Sequence, residues 1–289
     1  MSKGLRKGMS FLMAMIFVGS VLLLAGRLYD DRKAALSNQT AQELAAPSAG
    51  QPAVIPEAPV PLESAPEKEP LPAQAPAPAR KPVPDREETA ALWEPLREEM
   101  LDLLALDLEA LRRQSGSVLG WIRIPGSVID YPLMAFEDNE TGLHQSWDGT
   151  KSSAGCIFLE CKNRRDLSDF NTLIYGHNMR SGEMFGTLKR YAQADYLQEH
   201  KEIYLVTDDC VRRYEVFSAY EAAVTSDTYR LYFPDDAAKQ QALAHYTAAG
   251  SDTVPTVNDR ILTLSTCIGN GTYRTRWVVQ AVLTGEFSR

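Results

Sequence analysis

Cysteine and histidine are scarce in this chain of 289 residues, with four of each. The cysteines lie at 156, 161, 210 and 267, and no spacing among them resembles a zinc site. Cys156 and Cys161 are five apart in an extended run, so they face opposite sides about 16 Å apart, too far for a disulfide unless the strand breaks. Cys210, in Asp208-Asp-Cys-Val, belongs to a turn between strands. The acidic residues form no clustered calcium loop, so neither a metal nor a cofactor is expected. The chain also lacks a basic patch. With a net charge of −8 it is a poor match for nucleic acid. Proline is unevenly distributed: twelve of the 17 prolines fall between Pro47 and Pro84.

Only one long charge-free apolar run is present, at residues 9–26. Eighteen residues at about 1.5 Å each give about 27 Å of helix, the short end of a bilayer span. Lys3, Arg6 and Lys7 precede it, and its end lacks a good small-x-small cleavage site. Residues 1–8 therefore read as a cytoplasmic leader and 9–26 as an uncleaved, single-pass signal-anchor, with a cleaved signal peptide as the rival. Residues 27–86, rich in Pro, Ala and Glu, read as an extracellular stalk of polyproline II character, of which some 50 residues at about 3.1 Å each could reach at most about 150 Å. Beyond it lie about 200 residues, ample for one domain.

That domain begins with a charged, leucine-rich stretch at 87–113, read as one or two amphipathic helices packed on the domain. Short apolar runs separated by turns follow, the texture of a small β-barrel. Eight strands are predicted, at 119–124, 129–133, 156–160, 172–175, 202–207, 213–223, 260–265 and 277–284. A short helix is expected at 186–191 and a longer one at 235–249, the latter with Asp235 at its start.

Two of these strands have the same construction. Ile261-Leu-Thr-Leu-Ser-Thr-Cys267 is an apolar run ending in a cysteine, followed by the turn Gly269-Asn-Gly271. Leu173-Ile-Tyr175 is broken by Gly176 and followed by His177. A third strand enters at Arg276, close enough in sequence to form a hairpin that sets Arg276 beside Cys267. Taken alone, each residue is more often structural than chemical. Together, a thiol, an imidazole and a guanidinium at one sheet end can attack a carbonyl, protonate a leaving amine and stabilise an oxyanion.

Thr263-Leu-Ser-Thr-Cys267, Tyr175-Gly-His-Asn-Met179 and Arg276 before an apolar strand resemble the sortases, cysteine transpeptidases of Gram-positive cell surfaces. Gly120-Trp-Ile-Arg-Ile-Pro-Gly126, Ile129-Asp-Tyr-Pro132, Gly155-Cys-Ile-Phe-Leu159 and Gly182-Glu-Met-Phe185 are similar to class B members, and the likeness runs from about Leu96 to the C-terminus. The resemblance implies a mainly β fold, an eight-stranded sortase-type β-barrel with N-terminal helices and a helix in the loop before the cysteine strand. It makes 87–289 the catalytic domain.

It also implies Cys267 as nucleophile, His177 as general acid and base, and Arg276 as holder of the oxyanion or substrate backbone. Ser265, Thr266, Asn139, Thr225 and Tyr229 would line the substrate groove. The implied partners are surface proteins or pilins bearing a C-terminal sorting motif, together with a cell-wall precursor amine or a pilin lysine as acceptor. A pilin-polymerising enzyme and a hydrolytic cysteine protease are the alternatives. The His-before-Cys order is opposite to that of papain-like proteases, and an inactive adhesive scaffold would need all three motifs to be incidental.

Overall fold

The computed structural model describes residues 3–47, 100–246, 254–267 and 274–289; residues 3–12, 14, 27 and 267 are described by their backbone alone. Eight strands close into a barrel: β1 (Val118–Arg123), β2 (Asp130–Ala135), β3 (Ile157–Leu159), β4 (Asn171–Tyr175), β5 (Glu202–Val206), β6 (Cys210–Ala223), β7 (Ile261–Cys267) and β8 (Thr275–Ser288). Around the barrel they run β1-β2-β3-β4-β7-β8-β6-β5. The pairs β2–β3 and β4–β7 are parallel and the others antiparallel. Each predicted strand matches one observed strand within a few residues. β6 and β8 run longer than expected, 14 residues each, and register shifts near Tyr214 and Ser218 let so long a ribbon bend with the barrel wall.

Period-two alternation fills the barrel. Ile122, Leu133, Ile157, Ile174, Leu205, Leu262, Leu264, Val279 and Ala281 belong to one buried core. Helices lie outside the barrel, and those whose bounds fall among the described residues are α1 (Lys3–Ala45), α2 (Leu108–Arg112), α3 (Asn139–His144), α4 (Ala194–Glu199) and α5 (Asp236–His245). The 186–191 helix is a 3-10 turn at Leu188–Ala192, and α5 is the expected longer helix, its N-cap Asp235 accepting from the backbone of Ala238. The expectation for 247–249 falls outside the described residues. Within 87–113, residues 100–104 are helical, and α2 follows after a break at which Asp107 caps its start; 87–99 lie outside the described residues.

The stalk reading of 27–86 needs correction at its start. The helix does not stop where the apolar run ends but continues to Ala45. Ala34, Ala41 and Ala45 recur at helical spacing on one buried face, where their small side chains let the helix lie close to the barrel. The Trp147 indole donates to the Ser37 carbonyl (2.8 Å) and the Asp107 amide donates to the Ala45 carbonyl (2.9 Å). The rest of the stalk reading, from residue 48 on, falls outside the described residues. Among the described residues no helix is long and apolar enough to cross a membrane, and the 9–26 run includes residues described by backbone alone.

Candidate active site

β7 lies between β4 and β8, and its neighbours bring the three sequence-predicted groups together. Cys267 is the register partner of Arg276, so the two share a face with Cα atoms about 5 Å apart. On the other side Tyr175 pairs with Ser265, and the Gly176 amide donates to the Ser265 carbonyl (3.3 Å). His177 and Cys267 each stand two residues further on, level with one another at the same barrel end.

The outer face of β7 and β8 changes character stepwise towards that end. Ile261 and Val282 are apolar and covered by Ala242 and Tyr246 at the α5 end. Next, the Gln280 amide donates to Thr263 Oγ1 (3.1 Å), and Thr263 Oγ1 donates to Asn171 Oδ1 (2.8 Å). Asn171 Nδ2 donates in turn to the carbonyls of Thr228 (3.0 Å) and Arg230 (3.1 Å). The Tyr220 hydroxyl donates to Gln280 Oε1 (3.0 Å) and meets Thr228 Oγ1 (2.9 Å). This network fastens the 3-10 turn Asp227–Tyr229 across the sheet as a wall beside the site. One level up, the Tyr229 hydroxyl meets Ser265 Oγ (2.9 Å). Cys267 and Arg276 come last.

His177 is half-buried, and its Nε2 lies 3.0 Å from the Leu143 carbonyl. A carbonyl can only accept, so Nε2 carries the hydrogen and Nδ1 is left as the basic nitrogen. Burial pushes the imidazole below its ordinary 6.5, with the carbonyl contact opposing and His144 assisting. His177 is therefore neutral at pH 7. Its loop is fixed by the Phe185 amide, which donates to the His177 carbonyl (3.0 Å).

The predicted groove residues divide. Ser265 and Tyr229 face the site and engage each other. Thr266 alternates with Leu264 and Leu262 and so turns towards the barrel interior; its Oγ1 is buried without a hydrogen-bond partner. Thr225 is exposed in the turn after β6. Asn139 is the first residue of α3, and its amide is committed to the fold: Nδ2 donates to Glu160 Oε2 (2.8 Å) and Oδ1 accepts from the Cys161 amide (2.9 Å).

Sequence reasoning missed Glu160, whose carboxylate also accepts from the Tyr175 hydroxyl (3.1 Å) and is buried. Burial and the Glu160 charge push the Tyr175 hydroxyl well above its ordinary value, while Arg276 opposes them, so these groups sit within electrostatic reach. The signal for Glu160 was present as a carboxylate directly following Ile157-Phe-Leu159. The Asn171–Thr263–Gln280 network left no such trace, because it depends on register between strands far apart in sequence.

Cys156 is buried, and burial alone pushes its thiol far above the usual range, so it is inert as a nucleophile. Cys161 is pushed up by burial and by Glu160. Among the described residues no group of side chains could hold a metal ion. A pocket of about 510 Å³ lies at the Asn171–Ile261 end, away from Cys267, and is lined by Phe170, Tyr232, Phe233 and Arg260.

Residues 122–284 match the family model for the sortase domain. The chain is 34% identical over 188 residues to sortase B of Listeria monocytogenes, covering 61% of this chain and 74% of that protein. A sortase B–substrate complex from Staphylococcus aureus superposes with a TM-score of 0.59 at 27% identity, covering 69% of this chain and 94% of that one. A sortase B complexed with triglycine gives 0.59 at 26% identity, covering 70% and 99%. The sortase-domain match over more than half of the chain, with the likeness to sortase B in sequence and in fold, shows that this chain belongs to the sortase family and is a cysteine transpeptidase.

Proposed function

We propose that this transpeptidase cleaves a C-terminal sorting motif after Thr and joins the new carboxyl terminus to a cell-wall amine. It does so from the outer face of the membrane, held by the 9–26 helix. The observation that carries this reading is that Cys267 on β7 pairs in register with Arg276 on β8, while His177 follows two residues after the Tyr175 of β4 that pairs with Ser265. The substrate and triglycine complexes of related sortase B structures support a peptide donor and an amine acceptor. The exposed Met13, Ile16, Phe17, Leu22, Leu23 and Leu24 support the anchor.

In the first half-reaction the Cys267 thiol gives its proton to His177 Nδ1 and the sulfur attacks the Thr carbonyl. Arg276 holds the oxyanion, a task suited to its permanently charged fork. Collapse breaks the peptide bond, and His177 returns the proton to the leaving amine. In the second half the acceptor amine attacks the thioester, His177 takes its proton, and the thiol leaves reprotonated. A neutral His177 keeps most molecules out of the thiolate–imidazolium form, so turnover is slow. The test is the full chain in detergent with internally quenched peptides of varied sorting motif, with and without triglycine. Cleavage after Thr together with an amine-dependent ligated product supports the proposal. Cleavage that ignores amine would make the enzyme a hydrolase.

A further inference from the structure

We propose that Ala34 is a positioning residue for His177, and that the docked half of α1 clamps the two loops that hold the imidazole. The proposal rests on the reading of His177 as general acid and base, and it names what keeps that side chain in place.

Each loop fixes a different part of His177. The first runs from α3 to β3. The Leu143 carbonyl at its start accepts from Nε2 and sets the tautomer. Gly155, at φ +57°, lies against the imidazole with no side chain between them. A Cβ there would stand 2.5 Å from the Gly142 carbonyl oxygen, 2.9 Å from that of Leu143 and 3.0 Å from His177 Cδ2. The second loop follows His177 in the chain. The Phe185 amide donates to the His177 carbonyl, and Asn178 bridges to Met184. Met184 is held at φ +52°, a left-handed conformation that is strained for a residue with a long side chain. Its amide donates to the Tyr131 hydroxyl (3.1 Å), which ties the strained turn to β2.

α1 touches both loops. Against the first, Asp30 accepts from Ser153 Oγ (2.9 Å) and Lys33 Nζ donates to the Lys151 carbonyl (3.1 Å). Ser37 Oγ meets Ser146 Oγ (2.8 Å) on the same side. Against the second, Ala34 shares one core cluster with Tyr131, Met184 and Phe185. Burial raises the Glu183 carboxyl above its ordinary value, and the charge of Asp31 on α1 adds to the effect. Ala34, Tyr131, Gly155 and Met184 border a common void of about 10 Å³, room for one water at most.

Ala34 therefore fills the gap between the helix, Gly155 and Met184, in an interior packed closely enough to pass displacement on. A larger side chain must move Gly155 and the Leu143 carbonyl, move Met184 and Phe185, or lift α1 off both loops. Each of these frees the ring. Ala45 provides the contrast. It stands eleven residues and about 16 Å further along the same helix, in a different cluster with Met100, Leu103 and Trp121. Overpacking there strains the docked helix without reaching Gly155 or Met184.

The test compares Ala34→Ser, Ala34→Val, Ala34→Leu and Ala45→Leu in the full chain in detergent. One readout is ligation kinetics with a cleaved sorting peptide and triglycine. The other is nitrogen NMR of histidine-labelled protein, with the four histidines assigned by single substitution. Ala34→Leu is expected to lower kcat about tenfold or more while KM stays within about twofold. The single Nε2–H tautomer of His177 is expected to become a mixture in the same variant. Ala34→Val should fall between parent and Leu, and it carries the test if the Leu variant does not fold. Ala34→Ser, whose hydroxyl can bond the carbonyl one turn back, should behave as the parent. Ala45→Leu should lose stability yet keep both kcat and tautomer. Unchanged kcat and tautomer in the largest Ala34 variant that folds overturns the proposal, and so does an equal loss in Ala45→Leu. Full ligation by His177→Ala would instead remove the acid–base reading, and the proposal with it.

Discussion

The two faces of β4, β7 and β8 are made from the same residues in strict alternation, yet they do different work. Inward, Ile174, Leu262, Leu264, Val279 and Ala281 form part of a single apolar core. Outward, Asn171, Thr263 and Gln280 form a buried polar network that holds the Thr228–Arg230 wall, and Ser265–Tyr229 and Cys267–Arg276 follow above it. Apolar burial is non-directional and tolerates repacking, whereas a buried hydrogen-bond network has one satisfied geometry. The inner face makes the barrel stable, and the outer face fixes where the wall, Cys267 and Arg276 stand.

Substitutions should separate the faces. Cys267→Ala, on the outer face, is expected to reduce ligation roughly 10⁴-fold or more with an unchanged melting temperature, read by peptide assay beside calorimetry. Loss of activity accompanied by loss of the fold would erase the distinction. Arg276→Ala should lower kcat by about 10² to 10³, with partial recovery in Arg276→Lys if charge matters and little if the planar fork does.

Leu264→Ala, on the same strand but facing inward, should do the reverse. A loss of about 2–5 kcal/mol in denaturant unfolding is expected, with activity per folded molecule within a few-fold of the parent. Gln280→Leu tests the network between these extremes. It leaves Thr263 and Tyr220 short of a partner, costing about 1–3 kcal/mol, and should raise KM more than it lowers kcat because the wall shifts.

The smallest effect concerns pH. Burial makes the folded pKa of His177 lower than its unfolded value of 6.5, so the unfolded chain binds the extra proton first. The stability contribution of neutral His177 is full above about pH 6.5 and is lost as pH falls towards the folded value. Unfolding curves from pH 8 to 5 should show this slope, and His177→Gln should flatten it.

The inner face was easy to read in the sequence. Runs such as Ile261–Leu264 and Trp277–Leu283 announce buried strands, and the eight predicted strands all appear. Cys267, His177 and Arg276 stand out in the sequence because each ends or opens such a run, and the register sets Cys267 beside Arg276. Residues whose role depends on a distant partner were not. Asn139 looked like a groove amide, yet Glu160 and the Cys161 backbone, some twenty positions on, hold it. Thr266 looked like a flank of the nucleophile, yet alternation turns it inward. The docked half of α1 was hidden for a different reason. Its contact face is alanine, which carries too little apolar signal to separate a packed helix from the Pro/Ala-rich sequence after it.

The central claim is that Cys267 carries the acyl group between donor and acceptor. Intact-mass analysis of the full chain, quenched during turnover of a cleaved sorting peptide, tests it directly. The account predicts an adduct of the N-terminal peptide fragment that maps to Cys267, disappears when triglycine is added, and is replaced by the ligated peptide. An adduct on another residue, or cleavage with no adduct and no ligated product, would contradict it.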